Sequence, residues 1–198
     1  MLKHYKKTDL IVAGTDEAGR GCYAGPVCAA AVILPNDYSN KILNDSKQLN
    51  ERQRDELRIE IEEEALAWGV AMVDNNEIDE INILNASILA MHRALDKLKL
   101  RPGFLLIDGN RFKPYADIPY ECVVKGDATY YAIAAASVLA KTWRDEYMCS
   151  IHNEYPYYNW ASNKGYPTRD HKDAINTHGI SPYHRRSFNM NEQLKMDL

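Results

Sequence analysis

Apolar residues along the chain fall into short blocks separated by glycine, proline and charge. Residues 10–16 (LIVAGTD) and 26–34 (PVCAAAVIL) are two such blocks, and each predicts a strand closed by turn-forming residues. The stretch between them carries Gly19, Gly21 and Gly25, so its backbone can come close to a ligand. A helix is predicted over 51–67. Asn50 with Gln53 makes a capping box, and Leu57, Ile61, Ala65 and Trp68 recur at helical spacing. Residues 68–73 alternate weakly, as a third strand does. Ile78, Ile81, Leu84, Ile88, Met91, Leu95 and Leu98 then step by three or four, the stripe of a long amphipathic helix. After Gly103, Phe104-Leu105-Leu106-Ile107 is wholly apolar, the pattern of a strand covered on both faces. A short strand at 120–124, an Ala-rich helix from about 131 to 153 and a helix near 170–178 complete the series.

This order predicts the α/β class: a mixed sheet flanked by helices, followed by a helical C-terminal segment. One domain is expected over 1–198, with its core at about 10–153 and the helical segment at about 154–190. The longest apolar run, 27–34, falls far short of the ~18 residues that cross a bilayer. The basic start MLKHYKK is leader-like, but the apolar stretch 10–14 behind it runs straight into Asp16 and Glu17. No targeting signal and no membrane are expected, and the cytoplasm is the expected compartment.

Composition changes this picture little. At 45% hydrophobic and 26% charged the chain is an ordinary globular one, which excludes disorder. The net charge of −4 is uneven, since residues 51–100 hold 6 basic and 12 acidic side chains. A nucleic-acid partner must therefore meet a local basic groove rather than a global field. Cys22, Cys28, Cys122 and Cys149 make no CxxC pair and no zinc-finger spacing, so reduced thiols are expected.

Acidic residues stand just past two apolar strands, at Asp16-Glu17 and at Asp108, and the crevice beyond strand ends is where α/β folds build sites. Taken alone, each has a plainer reading. Asp16-Glu17 suits a solvated turn, Asp108-Gly109 is a turn dipeptide, and Asp127 favours the N-terminus of the helix behind it. Adjacent strand residues face opposite ways, so Asp16 and Glu17 serve one site only if the strand breaks or bulges there. Asp145, between Arg144 and Glu146, competes as a further acid but is expected on an exposed helix face. Taken together, Asp16, Glu17, Asp108 and Asp127 could furnish an all-oxygen site for the hard divalent cations that serve phosphoryl transfer. The chain has no Walker loop, GxSxG elbow or HExxH pair.

Several longer motifs carry a resemblance. TDEAGRG at 15–21 with GPV at 25–27, DSKQL at 45–49, IDGN at 107–110 and KGDATYYAIAAASVLAKTWRDE at 125–146 resemble ribonuclease HII, the type 2 ribonuclease H. So do GYPT at 165–168 and HRRSF at 184–188, in order over about residues 10–190. The resemblance implies a ribonuclease H-like fold and an endonuclease that uses two Mg2+ or Mn2+ ions. It would cut the RNA strand of RNA–DNA hybrids, and would incise duplex DNA containing ribonucleotides on the 5′ side of the ribonucleotide. The ends left would be 5′-phosphate and 3′-hydroxyl. The family's catalytic and metal-site acids fall on Asp16, Glu17, Asp108 and Asp127. Its Gly-Arg-Gly loop falls on Gly19, Arg20 and Gly21, its substrate-sensing tyrosine on Tyr166, and Lys47 matches a position near the phosphate path. The helical C-terminal segment would bind substrate, and a monomer is expected. A first acid already at residue 16 favours type 2 over the third type, which carries an added N-terminal domain.

The chemistry of these residues agrees. Telling RNA from DNA means sensing the 2′-OH, and a glycine-flanked Arg20 lets backbone approach a ribose. Tyr166 offers a flat ring for a sugar. His184-Arg185-Arg186 alone reads as a solvated basic tail, although eight aromatics between 147 and 188 would also suit a nucleic-acid groove. Two rivals stand beside this reading: a nuclease of the same fold that cuts DNA without regard to the 2′-OH, and a hybrid-binding module without catalysis.

Overall fold

The computed structural model describes residues 2–44, 46 and 49–190. Its strands are β1 (Val12–Ala18), β2 (Val27–Ile33), β3 (Ala67–Val73), β4 (Phe104–Asp108) and β5 (Tyr120–Val123). Its helices are α1 (Glu51–Glu64), α2 (Asn75–Asp96), α3 (Tyr131–His152), α4 (Trp160–Asn163) and α5 (Arg169–His178). The strands form one sheet in the order β3-β2-β1-β4-β5. β1, β2 and β3 are antiparallel neighbours, while β4 and β5 continue the sheet parallel to β1. The series read from the sequence is all present; α4 and short 3-10 turns at Gly126–Ala128 and Pro156–Tyr158 are additions.

β2 shows how the sequence dictates the layers. Every residue in it is buried: Val27, Ala29, Ala31 and Ile33 in the core shared with α2, Cys28, Ala30 and Val32 in the core shared with α3. A strand with two covered faces has no room for polar alternation. α3 comes close because its inner face is alanine (Ala134, Ala135, Ala136, Ala140) and because Gly14 of β1 has no side chain; a Cβ there would overlap the backbone of Ala132 and Ile133. α1 covers α3 from outside through Leu57 and Ile61.

The predicted capping box is formed: Asn50 Oδ1 accepts from Gln53 N at 2.9 Å, and Gln53 Oε1 accepts from Asn50 N at 3.0 Å. α1 stops at Glu64, sooner than periodicity suggests, because Ala65 turns extended to enter β3. α2 breaks at Asn82 (φ 64°, ψ 162°), whose Oδ1 re-caps the helix by accepting from Leu84 N and Asn85 N, each at 3.1 Å. The C-terminal segment builds a third core from Met148, Ile151, Tyr158, Trp160, Ala174 and Ile175. The expected solvated tail is corrected here: His184 and Arg185 are buried and only Arg186 of the three is exposed. Among the described residues no helix is long and apolar enough to cross a membrane.

Candidate active site

β1 and β4 run side by side with Thr15 opposite Ile107, so their C-terminal ends set Asp16 and Glu17 beside Asp108. β1 neither breaks nor bulges there. Asp16 pairs with Ala30 and Glu17 with Ala29 in unbroken register through Ala18. The strand is thus unbroken where the pair alone would need a break or bulge to share a site, and what links the two faces is Asp108. Standing at the end of the neighbouring strand, it lies within electrostatic reach of both carboxylates although they leave β1 on opposite faces. Asp16 meets the Ser137 hydroxyl of α3. Glu17 enters a cleft of about 170 Å³ lined by Ser87, Ile88, Asp108 and Arg111.

This end of the sheet crowds buried carboxylates together. Burial, then Glu17 and then Asp108, pushes the Asp16 carboxyl well above the usual carboxylate range. Burial also raises Glu17, and Arg20 opposes the shift through an ion pair at 3.1 Å. Glu17 Oε2 and Ser87 Oγ are buried in the same cleft without a hydrogen-bond partner among the described residues. An orphaned carboxylate oxygen in one cleft with the Asp108 carboxylate is the donor chemistry that a hard cation takes. Among the described residues no three His, Cys, Asp or Glu side chains are drawn into a finished cage.

The remaining predicted residues take distinct places. Asp127 is buried on the 3-10 turn before α3, where Oδ1 accepts from Ala128 N at 2.9 Å. That turn is tied to the carboxylates by its neighbour: Gly126 N donates to Asp108 Oδ1 at 2.8 Å. Gly19 sits at φ +91° with its missing side chain directed at Arg144, whereas Gly21 is exposed and has open space where a Cβ would stand. Tyr166 lies 38% exposed, with its ring centroid 5.9 Å from the Arg144 guanidinium and 6.0 Å from Lys141 Nζ. Lys47 falls outside the described residues. Asp145 is not on an exposed face: it is buried in an ion pair with Lys141, which accounts for it without a catalytic role.

Two arginines behind the glycine loop lie inside the motifs at 125–146 and 184–188, which give them no role. Arg144 and Arg185 are both fully buried and donate to main-chain carbonyls of residues 19–26. Arg144 did leave a trace, because it falls on the buried stripe of α3 between Ala140 and Met148. Arg185 lies outside the helices and strands and carries no such periodic signal.

The fold and this carboxylate-lined strand end define the ribonuclease H class. Ribonuclease H2 from Pyrococcus horikoshii OT3 matches with a TM-score of 0.75 at 25% identity, over 90% of this chain and 94% of that one. Bst ribonuclease HIII, solved with Mn2+, shares the fold with a TM-score of 0.74 at 20% identity, over 90% and 67% of the two chains. Ribonuclease HII of Phocaeicola vulgatus is 65% identical over 190 residues, covering 96% of this chain and 94% of the relative. That of Christiangramia forsetii is 61% identical over 198 residues and the full length of both. The family model for ribonuclease HII matches residues 13–191. The chain belongs to the ribonuclease HII family, and with it to the endoribonucleases of ribonuclease H type.

Proposed function

We propose that this chain hydrolyses the RNA strand of RNA–DNA hybrids and incises duplex DNA on the 5′ side of an embedded ribonucleotide, leaving 5′-phosphate and 3′-hydroxyl ends. The observation that carries the reading is the meeting of Asp16, Glu17 and Asp108 at the ends of two parallel strands, next to an exposed glycine loop. Asp16, Glu17, Asp108 and Asp127 would hold two divalent ions, Mg2+ or Mn2+, which when bound supply Lewis acidity at the phosphoryl oxygens and make water a better nucleophile. The chain's own residues do the rest. Gly19, Arg20 and Gly21 read the ribose through close backbone approach, and the Arg20 side chain reaches a phosphate once it leaves Glu17. Tyr166 packs on a sugar, and Lys47 serves the phosphate path. The 2′-OH is read rather than used as nucleophile, because among the described residues the only paired imidazoles, His171 and His184, are buried in the C-terminal core.

The test is a labelled DNA duplex with one ribonucleotide, incubated with and without Mg2+, beside an all-DNA duplex and a long hybrid. Metal-dependent cutting 5′ of the ribonucleotide is expected, with the all-DNA duplex untouched. Asp108→Asn should abolish cutting while keeping the melting temperature close to wild type. Cutting of the all-DNA duplex would instead identify a DNA nuclease, and more than a tenth of wild-type turnover in Asp108→Asn would remove Asp108 from the reaction.

A further inference from the structure

We infer that Arg185 and Arg144 are positioning residues for substrate recognition, which together hold the 19–26 loop and the turn carrying Tyr166 as one preformed receptor for the ribose. The inference rests on the ribose-reading role proposed above for Gly19–Gly21.

A buried guanidinium ordinarily finds a carboxylate, because an uncompensated charge in the interior is expensive. These two bind carbonyls instead. Arg185 donates from Nε to Gly25 O at 2.9 Å, from Nη1 to Arg20 O at 2.9 Å and from Nη2 to Gly19 O at 2.7 Å. Arg144 donates from Nε to Pro26 O at 2.9 Å, from Nη2 to Ala24 O at 3.1 Å and from Nη1 to Lys164 O at 2.7 Å. Five carbonyls of a single loop therefore point inward onto two rigid planar forks, and the sixth belongs to the turn that leads to Tyr166. Burial lowers Arg185 to about 10, which leaves it charged at neutral pH.

Drawing the Gly19 and Arg20 carbonyls inward decides what the loop offers outward. The N–H groups of Arg20 and Gly21 have no hydrogen-bond partner among the described residues, and the space beside Gly21 is open. Such a surface offers two main-chain donors, suited to the hydroxyl and phosphate oxygens of a nucleotide. The Tyr166 turn is locked to the same unit, since Tyr23 N donates to Gly165 O at 2.8 Å and Arg185 N donates to Tyr23 O at 2.9 Å. Asp79 of α2 fixes the tail beyond Arg185 by accepting from Arg186 N at 2.8 Å and Ser187 N at 2.9 Å. Lysine keeps the charge but is a point donor, unable to orient three peptide planes together.

The experiment uses the full chain with Asp108→Asn to stop cutting. Fluorescence anisotropy measures affinity for a duplex with one ribonucleotide and for its all-DNA counterpart, and the ratio is the readout. Arg185→Lys and Arg144→Lys should each lower that preference at least fivefold through weaker binding of the ribonucleotide duplex, with all-DNA binding unchanged. A lower melting temperature with the preference intact would mean a merely structural role and overturn the inference. Should the lysine variants fail to fold, Asp79→Ala loosens the tail without emptying the core; it should cut the preference two- to threefold, and an undiminished preference again overturns the clamp. A parent protein with no preference refutes the ribose reading and the clamp with it, whereas a preference that survives in Arg185→Lys refutes the clamp alone.

Discussion

The Nε2 atoms of His171 and His184 lie 3.1 Å apart in the C-terminal core, and their hydrogen bonds require both rings to be neutral. The Trp160 indole N–H can only donate, and it does so to His171 Nε2 at 3.1 Å. His171 Nδ1–H therefore donates to the Tyr166 carbonyl at 2.9 Å. His184 presents Nε2–H to His171 and accepts at Nδ1 from Ser181 N at 2.9 Å. A second proton would set donor against donor, at Ser181 N for His184 Nδ1 or at the Trp160 indole for His171 Nε2.

Acid should loosen this part of the molecule first. Burial lowers both imidazoles, His184 to about 4. The unfolded chain then takes up protons that the folded one refuses, so the pair's stabilisation is complete above about pH 6.5 and is lost as the pH falls toward 4. The slope is at most ~1.4 kcal/mol per pH unit for each group. Denaturant titrations at pH 7 and pH 5 should show a smaller drop for His184→Gln than for the wild type; equal drops would acquit the pair.

Asp16→Asn should melt no lower than the wild type in the absence of metal, and up to several degrees higher. The folded state holds the Asp16 carboxyl above its ordinary value, so at neutral pH its ionised form opposes folding, and an amide removes that opposition. Added Mg2+ should raise the wild-type melting temperature more than the variant's. Scanning calorimetry with EDTA and with Mg2+ checks both signs, and a variant that melts far below wild type in EDTA would make Asp16 a structural residue.

Gly19 and Gly21 should respond to substitution in opposite ways. Gly19→Ala forces a side chain at positive φ into Arg144 and should destabilise by about 1–3 kcal/mol. Gly21→Val enters open space, so its stability and Mg2+ binding should match the wild type while cutting falls severely. Urea titration alongside kcat/KM on the single-ribonucleotide duplex separates the two effects. Full activity in Gly21→Val would show that nothing approaches the loop there.

Tyr166→Ala should harm embedded single ribonucleotides more than long hybrids. The ring stands over Arg144 at the edge of the glycine loop, exposed enough to meet one sugar. A long hybrid offers many registers in which the sugar beyond the cut need not be DNA. Comparison of kcat/KM on the two substrates decides it: equal losses leave Tyr166 a general packing residue.

The elements were legible because burial imposes period on them. β2 and β4 had to be apolar on both faces, and α2 buries its stripe on both sides of the Asn82 break, Ile78 before it and Ile88, Met91 and Leu95 after it. The three strand-end acids were legible from their place beyond apolar runs. What the pattern hid was compensation through the backbone. Asp145 looks exposed between two charges, yet Lys141 one turn earlier neutralises it in the interior. Arg185 looks like a tail charge because its partners are carbonyls, which every residue has and no sequence displays. The Asp16-Glu17 pair alone would need a bulge, and the link that spares it, Asp108, comes from a strand nearly ninety residues away in the sequence.

α3 touches both halves of the site. Its Ser137 faces Asp16, and seven residues later its Arg144 holds the loop and the Tyr166 turn. Seven residues are nearly two full turns and roughly 10 Å of rise, so both side chains project from one side of a single rigid rod. The helix thereby works as a gauge, setting how far the place where a strand is cut lies from the place where its sugar is inspected. One residue inserted between them would rotate Arg144 by about 100° and lengthen the gauge by about 1.5 Å. Each half would keep its own sequence, but the two would no longer address the same nucleotide.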